Sequence, residues 1–182
     1  GNPFMFDTVL IAGLGLMGGS MAKTIKARTL SRVLGWNRTR ATAEQALADG
    51  SIDAIATEAL YKEADLVIIG LYPQATVDWL LENMPKMKKG CVIVDMVGVK
   101  QFMVDHLEQA ALDAGVHYVG GHPMAGREFS GLDFALPTLF DGASMIFVPT
   151  KSSTERVLEQ LEAYFMSLGF GQTVRCTAQQ HD

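Results

Sequence analysis

The stretch GGHPMAGREFSG, residues 120–131, sets a histidine, an arginine and a glutamate among four glycines. Pro123 fixes the backbone after His122, and the glycines allow a ligand to come close. An imidazole titrates near neutral pH, so His122 is a candidate general base. Glu128 could orient a partner or hold a charge nearby. On residue types alone the alternative stays open: a polar loop whose histidine merely caps or hydrogen-bonds.

A second cluster, IAGLGLMGGS at 11–20, holds Gly13, Gly15 and Gly18 in G-x-G-x-x-G register. In a dinucleotide site the first glycine makes the tight turn. The second lets backbone approach a pyrophosphate, and the third lets helix pack on strand. The amides around Leu16 and Met17 would then face the anion. The competing readings are a plain strand–helix turn of small residues and a methyltransferase-like nucleotide site. About 20 residues on, an NAD site usually offers a carboxylate to the ribose 2′-hydroxyl. No acidic residue occurs from Thr8 to Ala43, and the expected place reads NRTR: Asn37, Arg38, Thr39, Arg40. An arginine between neutral hydrogen-bonding side chains suits a 2′-phosphate, which a carboxylate would repel, so NADP is expected over NAD. Lys23, Lys26, Arg28 and Arg32 add a basic segment nearby, with solvated helix-face charges as the plainer account of Lys23 and Lys26.

These groups need a scaffold, and the chain alternates strand and helix patterns. Short apolar runs at 8–13, 32–37, 64–71, 90–96, 116–121, 144–150 and 172–176 read as strands. Amphipathic or glycine-closed segments at 16–28, 39–50, 73–89, 99–115 and 153–169 read as helices. Continuous apolar strands imply cover on both faces. The fold class expected is therefore α/β, a doubly wound, mainly parallel sheet of the Rossmann type, which binds ligands beyond the carboxyl ends of its strands.

Composition sets outer limits. The 182 residues suit one domain, with 48% hydrophobic and 19% charged residues. A net charge of −5 argues against nucleic acid as a partner. No run approaches the roughly 18 apolar residues of a membrane span. The start, GNPFMFD, lacks a signal peptide's pattern, so a cytoplasmic location is expected. Cys91 and Cys176 read as buried thiols rather than a disulfide. No cluster has metal-ligand spacing, so no metal is expected. His106 reads as part of a solvated helix face and His117 as a partly buried strand residue. The 10 methionines read as core filler.

Taken together, GLGLMGGS, VIVDMVGVK and GGHPMAGREFSG resemble the prephenate/arogenate dehydrogenase family of tyrosine biosynthesis, over about residues 8–182. The H-P-x-A-G-x-E-x-S-G pattern is the specific part. The resemblance implies oxidative decarboxylation of prephenate or arogenate with hydride transfer to NAD(P). It puts the catalytic role on His122, Glu128 at the rim of the active site, and the loop of Tyr72 and Pro73 against the cofactor. For Tyr72 and Pro73 the plainer account is the first turn of the next helix. The family commonly carries D-x-x-S-x-K, with the serine beside the histidine; here the run is Asp95 to Lys100, with Gly98 at the serine position. Lys100 is as well explained by a helix-start or surface charge as by function.

The closing AQQHD resembles the passage from the family's nucleotide domain into a helical dimerisation domain. Residues 1–178 are thus expected to form the Rossmann domain and 179–182 the start of a helical domain that is absent. The chain is accordingly expected to be a weakly active fragment of a homodimer. His181 fits the "HD" of that next helix but carries little weight at a chain end. Two other readings remain: the nucleotide domain of a β-hydroxyacid dehydrogenase, which shares GLGxMG and NRT, and a non-catalytic NADP-binding module.

Overall fold

A computed structural model describes residues 4–125 and 134–182. In chain order the elements are β1 (Thr8–Ala12), α1 (Leu16–Arg28), β2 (Arg32–Trp36), α2 (Arg40–Ala48), β3 (Ala54–Ile55), α3 (Glu58–Tyr61), β4 (Leu66–Ile69) and α4 (Pro73–Asn83). They continue with β5 (Val92–Asp95), α5 (Gln101–Ala114), β6 (His117–Met124), β7 (Ser144–Val148), α6 (Glu155–Ser167), β8 (Gln172–Arg175) and α7 (Ala178–His181). Pro73 opens α4 at its first turn, where its missing N–H costs nothing. A second proline, Pro85, converts the expected helical continuation into a 3₁₀ turn at Met84–Lys86.

The described strands form one sheet in the order β3-β2-β1-β4-β5-β6-β7-β8. Neighbours from β3 through to β6 are parallel. Only β6 and β7 pair antiparallel, and β8 then runs parallel to β7. The order reverses between β1 and β4, which opens a crevice beyond their carboxyl ends. Alternate side chains of β1 serve opposite faces. Val9 and Ile11 join Met21, Ile25, Leu161 and Phe165, from α1 and α6. Leu10 and Ala12 join Leu80, Met103 and Leu107, from α4 and α5. The sheet is thus covered on both sides, which is why its strands read as unbroken apolar runs.

One element differs from the sequence expectation in a way that matters. The strand expected to stop at residue 121 continues to Met124, so His122 lies within β6 rather than past it. Its parallel pairing with β5 ends at Val119, opposite Val94. The antiparallel ladder with β7 carries the strand on, pairing His122 with Ile146. His122 therefore stands beyond the edge of the parallel sheet on a braced strand.

Candidate active site

The glycine-rich turn links β1 to α1, and its three glycines have separable jobs. Gly13 adopts φ +92°, and a Cβ there would lie 2.7 Å from the Gly70 carbonyl oxygen at the end of β4. A Cβ on Gly18 would sit 1.7 Å from the Gly13 carbonyl oxygen, so α1 packs on the turn only because Gly18 has no side chain. Gly15 is different: a Cβ there would meet no atom within 4 Å. The fold does not require glycine at that point, and the space lies in front of the first amides of α1. No acidic side chain stands in that first turn. An open face beside orphan helix amides is a cradle for an anion such as the pyrophosphate of a dinucleotide.

A cavity of about 670 Å³ extends from this cradle. Its walls include Gly13, Gly15, Leu16, Met17, Asn37 and Arg38. Across from them stand Tyr72 and Pro73 at the start of α4, and Met96, Gly98 and Val99 after β5. The turn is brought to the end of β2 by Asn37, whose Oδ1 accepts from the Leu14 N–H at 2.8 Å. Its Nδ2 donates to the Thr39 carbonyl at 3.0 Å. Asn37 thus latches the turn as well as lining the site. Gly18 and Thr39 stand outside the cavity wall; Thr39 is exposed and precedes α2 as its N-cap.

The basic segment resolves into pairs. Lys23 meets Asp49, Lys26 meets Asp53, Arg28 meets Asp141, Arg32 meets Glu63 and Arg40 meets Glu44. Those charges are partly neutralised on the surface. Among the described residues no carboxylate pairs with Arg38, whose side chain is exposed and lines the cavity.

His122 is half-buried at the far side of Gly98. A Cβ built on Gly98 would lie 3.6 Å from His122 Nε2 and 3.7 Å from Cε1. His122 itself stands outside the cavity wall, and its Nε2 edge faces Gly98, which lines it. Its Nδ1 lies 2.8 Å from His181 Nε2. His181 Nδ1 in turn lies 2.8 Å from Asp182 Oδ1. Asp182 accepts from the Lys100 N–H at 2.9 Å and the Gln101 N–H at 2.8 Å, the first amides of α5. Those backbone donors, chiefly Gln101, and then His181 hold its carboxyl down to about 2. Burial pushes the His122 imidazole below its ordinary value; its neighbours His181 and Lys100 add to this and Asp95 opposes it. A neutral imidazole is the form that can accept a proton.

Beneath this lies a buried polar network. Asp95 and Lys100 are both fully buried and paired with each other. Asp95 also accepts from the Tyr118 hydroxyl at 2.8 Å, the Val97 N–H at 2.9 Å and the Gly121 N–H at 3.3 Å. The carboxylate thus ties the end of β5 to the backbone beside His122. Burial lowers the Lys100 ammonium, with Asp95 opposing, and raises the Tyr118 phenol well above its ordinary range. A surface role for Lys100 is overturned: it has no exposure at all.

Glu128 lies outside the described residues. His106 is exposed and bonded to the Phe102 carbonyl, and His117 is bonded to the Ser152 carbonyl. Neither histidine belongs to the cavity wall. Cys91 is buried and Cys176 only half-buried, and both are free thiols. Among the described residues no three His, Cys, Asp or Glu side chains converge as metal ligands would, and no helix is long and apolar enough to cross a membrane. Sequence reasoning passed over Asp182 and discounted His181. The signal was present as the adjacent "HD", but only the fold brings it to a strand about 60 residues earlier.

Residues 21–172 match the family described as prephenate dehydrogenase, nucleotide-binding domain. A prephenate dehydrogenase of Bacillus subtilis is 37% identical over 162 residues, covering 87% of this chain and 43% of that protein. Among solved structures, prephenate dehydrogenase from A. aeolicus, in complex with hydroxyphenyl propionate and NAD+, superposes with a TM-score of 0.85 at 25% identity. It covers 97% of this chain and 62% of that one. Synechocystis arogenate dehydrogenase gives 0.84 at 25% identity, over 96% and 61%. The chain spans about half the length of the curated relatives it matches.

Proposed function

The chain belongs to the prephenate dehydrogenase family as its nucleotide-binding domain, and from that premise we propose that it serves the oxidative decarboxylation of prephenate or arogenate. The observation that carries this reading is the approach of His122 Nε2 to Gly98, on the wall of the nucleotide-sized cavity. A base set there is within reach of a substrate hydroxyl lying over the cavity.

A nicotinamide nucleotide, when bound, supplies the hydride acceptor. The chain's own part is to seat that nucleotide and to take one proton. Gly13, Gly15, Leu16, Met17 and Gly18 form the pyrophosphate turn, and Tyr72 and Pro73 cover the opposite wall. Neutral His122 accepts the proton of the substrate's ring hydroxyl at Nε2 while the hydrogen on the same carbon leaves as hydride. The ring carboxylate then departs as carbon dioxide, and the electron pair of the broken C–C bond completes an aromatic ring. Aromatisation makes the sequence strongly favourable, so positioning and one proton transfer suffice.

NADP is the preferred nucleotide in this reading. Support comes from Asn37, Arg38 and Thr39 at the end of β2, and from the absence of any carboxylate between Thr8 and Ala43. Glu128 is assigned to the substrate rim by its place in the pattern that contains His122. Residues 1–178 form the Rossmann domain, and 179–182 begin a helical domain through which the intact, cytoplasmic protein dimerises. A second reading, a non-catalytic NADP-binding module, is favoured by one observation: Gly98 offers His122 no hydroxyl partner.

The test assays the intact protein with prephenate and arogenate against NADP and NAD. His122→Asn is expected to lower turnover by about 10²–10⁴-fold, the usual scale of general-base catalysis, with nucleotide affinity unchanged. An unaltered rate in that variant would remove His122 from the mechanism. Tight NADP binding with no turnover of either substrate would favour the binding module.

A further inference from the structure

We infer that His181 and Asp182 are positioning residues that fix the tautomer of His122, so that its proton-accepting nitrogen points at the cavity. The inference rests on the reading of His122 as the base and extends it by two residues.

Three contacts in series determine where the ring protons lie. Asp182 accepts two backbone N–H groups at the start of α5, through Oδ1 from Lys100 and Oδ2 from Gln101. An ionised carboxylate has no proton to give. The 2.8 Å contact from its Oδ1 to His181 Nδ1 therefore requires the proton on that nitrogen. A neutral histidine carries one ring proton, so His181 Nε2 is left as an acceptor. The 2.8 Å contact between His181 Nε2 and His122 Nδ1 then requires the proton on His122 Nδ1. A neutral His122 protonated there has its lone pair on Nε2, the atom that faces Gly98 and the cavity. With His181 neutral, each link has one allowed direction, and the last one leaves the His122 lone pair on Nε2.

The arrangement also works after the proton has moved. His122 protonated on both nitrogens still donates through Nδ1 to His181, and the Asp182 charge lies at the end of the chain. Among the described residues, the other charged groups that act on His122 are Lys100 and Asp95, which pair with each other. They leave His181 as the contact at Nδ1 that selects the tautomer. The rings meet at 62°, with centroids 5.0 Å apart, so the contact is between edges and not stacked faces. The principle is that of a base oriented by a second group and held by a carboxylate.

Asp182→Asn is the discriminating variant. Its single amide oxygen is drawn to the backbone N–H groups of α5, so its NH₂ is presented to His181 Nδ1. His181 then carries its proton on Nε2 and donates to His122 Nδ1, which moves the His122 proton to Nε2. Two-bond ¹H–¹⁵N correlation spectra of the intact protein labelled in histidine report which ring nitrogen is protonated, with His122 assigned by its loss in His122→Asn. The expected result is Nδ1–H in the parent protein and a shift to Nε2–H in Asp182→Asn. Turnover should fall on the order of 10²-fold with nucleotide affinity unchanged. His181→Leu removes the acceptor and should give mixed tautomers and a rate loss, whereas His181→Gln, which keeps an acceptor, should retain more of the rate.

Nε2–H on His122 in the parent protein would overturn the inference. So would an unchanged tautomer and turnover in both Asp182→Asn and His181→Leu. If those two variants are fully active while His122→Asn is dead, this inference falls and the proposed reaction stands. If the intact parent protein oxidises neither substrate, the reaction falls, and the spectra alone decide on the tautomer.

Discussion

In the proposed reaction His122 is the base. Burial is the main force pushing its titration down, and the neighbouring His181 and Lys100 act in the same direction. The base works only when neutral. Turnover per substrate encounter, kcat/KM, is therefore expected to rise with pH through a midpoint below the ordinary value of about 6.5 and then level off. A midpoint above that value would contradict the depressed titration. The same shift has a sign for stability. The unfolded chain takes up this proton at higher pH than the folded one. The contribution is therefore present above about 6.5 and is lost as pH falls toward the folded value. In the proposed reading Arg38 carries the cofactor choice. Charge-assisted hydrogen bonds contribute about 1.5–3 kcal/mol, so Arg38→Ala should weaken NADP binding by roughly ten- to a hundredfold and leave NAD nearly unaffected. Calorimetric titration of both nucleotides checks it, and equal losses for the two would remove Arg38 from 2′-phosphate recognition.

At the scale of elements, the β1–α1 turn separates what the fold needs from what the ligand needs. Gly18 lets α1 lie against the Gly13 carbonyl, and Gly15 faces open space. Gly18→Ala is expected to destabilise by about 1–3 kcal/mol or more, because backbone must shift to admit the methyl group. Gly15→Ala should leave the thermal midpoint nearly unchanged and weaken nucleotide binding. Thermal unfolding and nucleotide titration on both variants test the division. Full nucleotide affinity in Gly15→Ala would show that the open face is not the anion's. The end of β5 has a comparable division. Asp95 and Lys100 together hold the strand, the first amides of α5 and the Gly121 backbone in one buried network. Removing one member of such a pair leaves an uncompensated charge, so its role in alignment is inseparable from its role in stability.

At the scale of the whole molecule, the chain belongs to the prephenate dehydrogenase family, and it corresponds to 43% to 61% of the length of the curated relatives. The described strands form a doubly wound sheet with its crevice beyond the ends of β1 and β4. His122 is bordered by α7, through His181, and Asp182 ties α7 to the start of α5. The proposed division, a nucleotide domain over 1–178 and a helical domain from 179, leads to a direct expectation. Residues 1–182 alone should bind NADP but turn prephenate over far more slowly than the intact protein. Steady-state rates of the two, with sedimentation to compare their association, test this. Equal rates would refute the division of labour.

Much of this was legible in the sequence because its physics is local. A helix start needs glycine where backbone must approach, and strands covered on both faces read as unbroken apolar runs. The G-x-G-x-x-G turn does join β1 to α1, and its Gly13 and Gly15 share one cavity wall with Asn37 and Arg38. Other features depended on residues distant in sequence. The ladder between β6 and β7 extended the strand through His122. The burial of Lys100 against Asp95 turned an ambiguous charge into part of the scaffold, since spacing alone does not say which side of a helix start faces inward. The contact of His122 with His181, 59 residues away, arises only when α7 returns to the start of α5. Residue types and their spacing determined which groups could do the chemistry. The tertiary structure decided which nitrogen of His122 faces the cavity, because a hydrogen bond's direction is set by its partner and that partner comes from the far end of the chain.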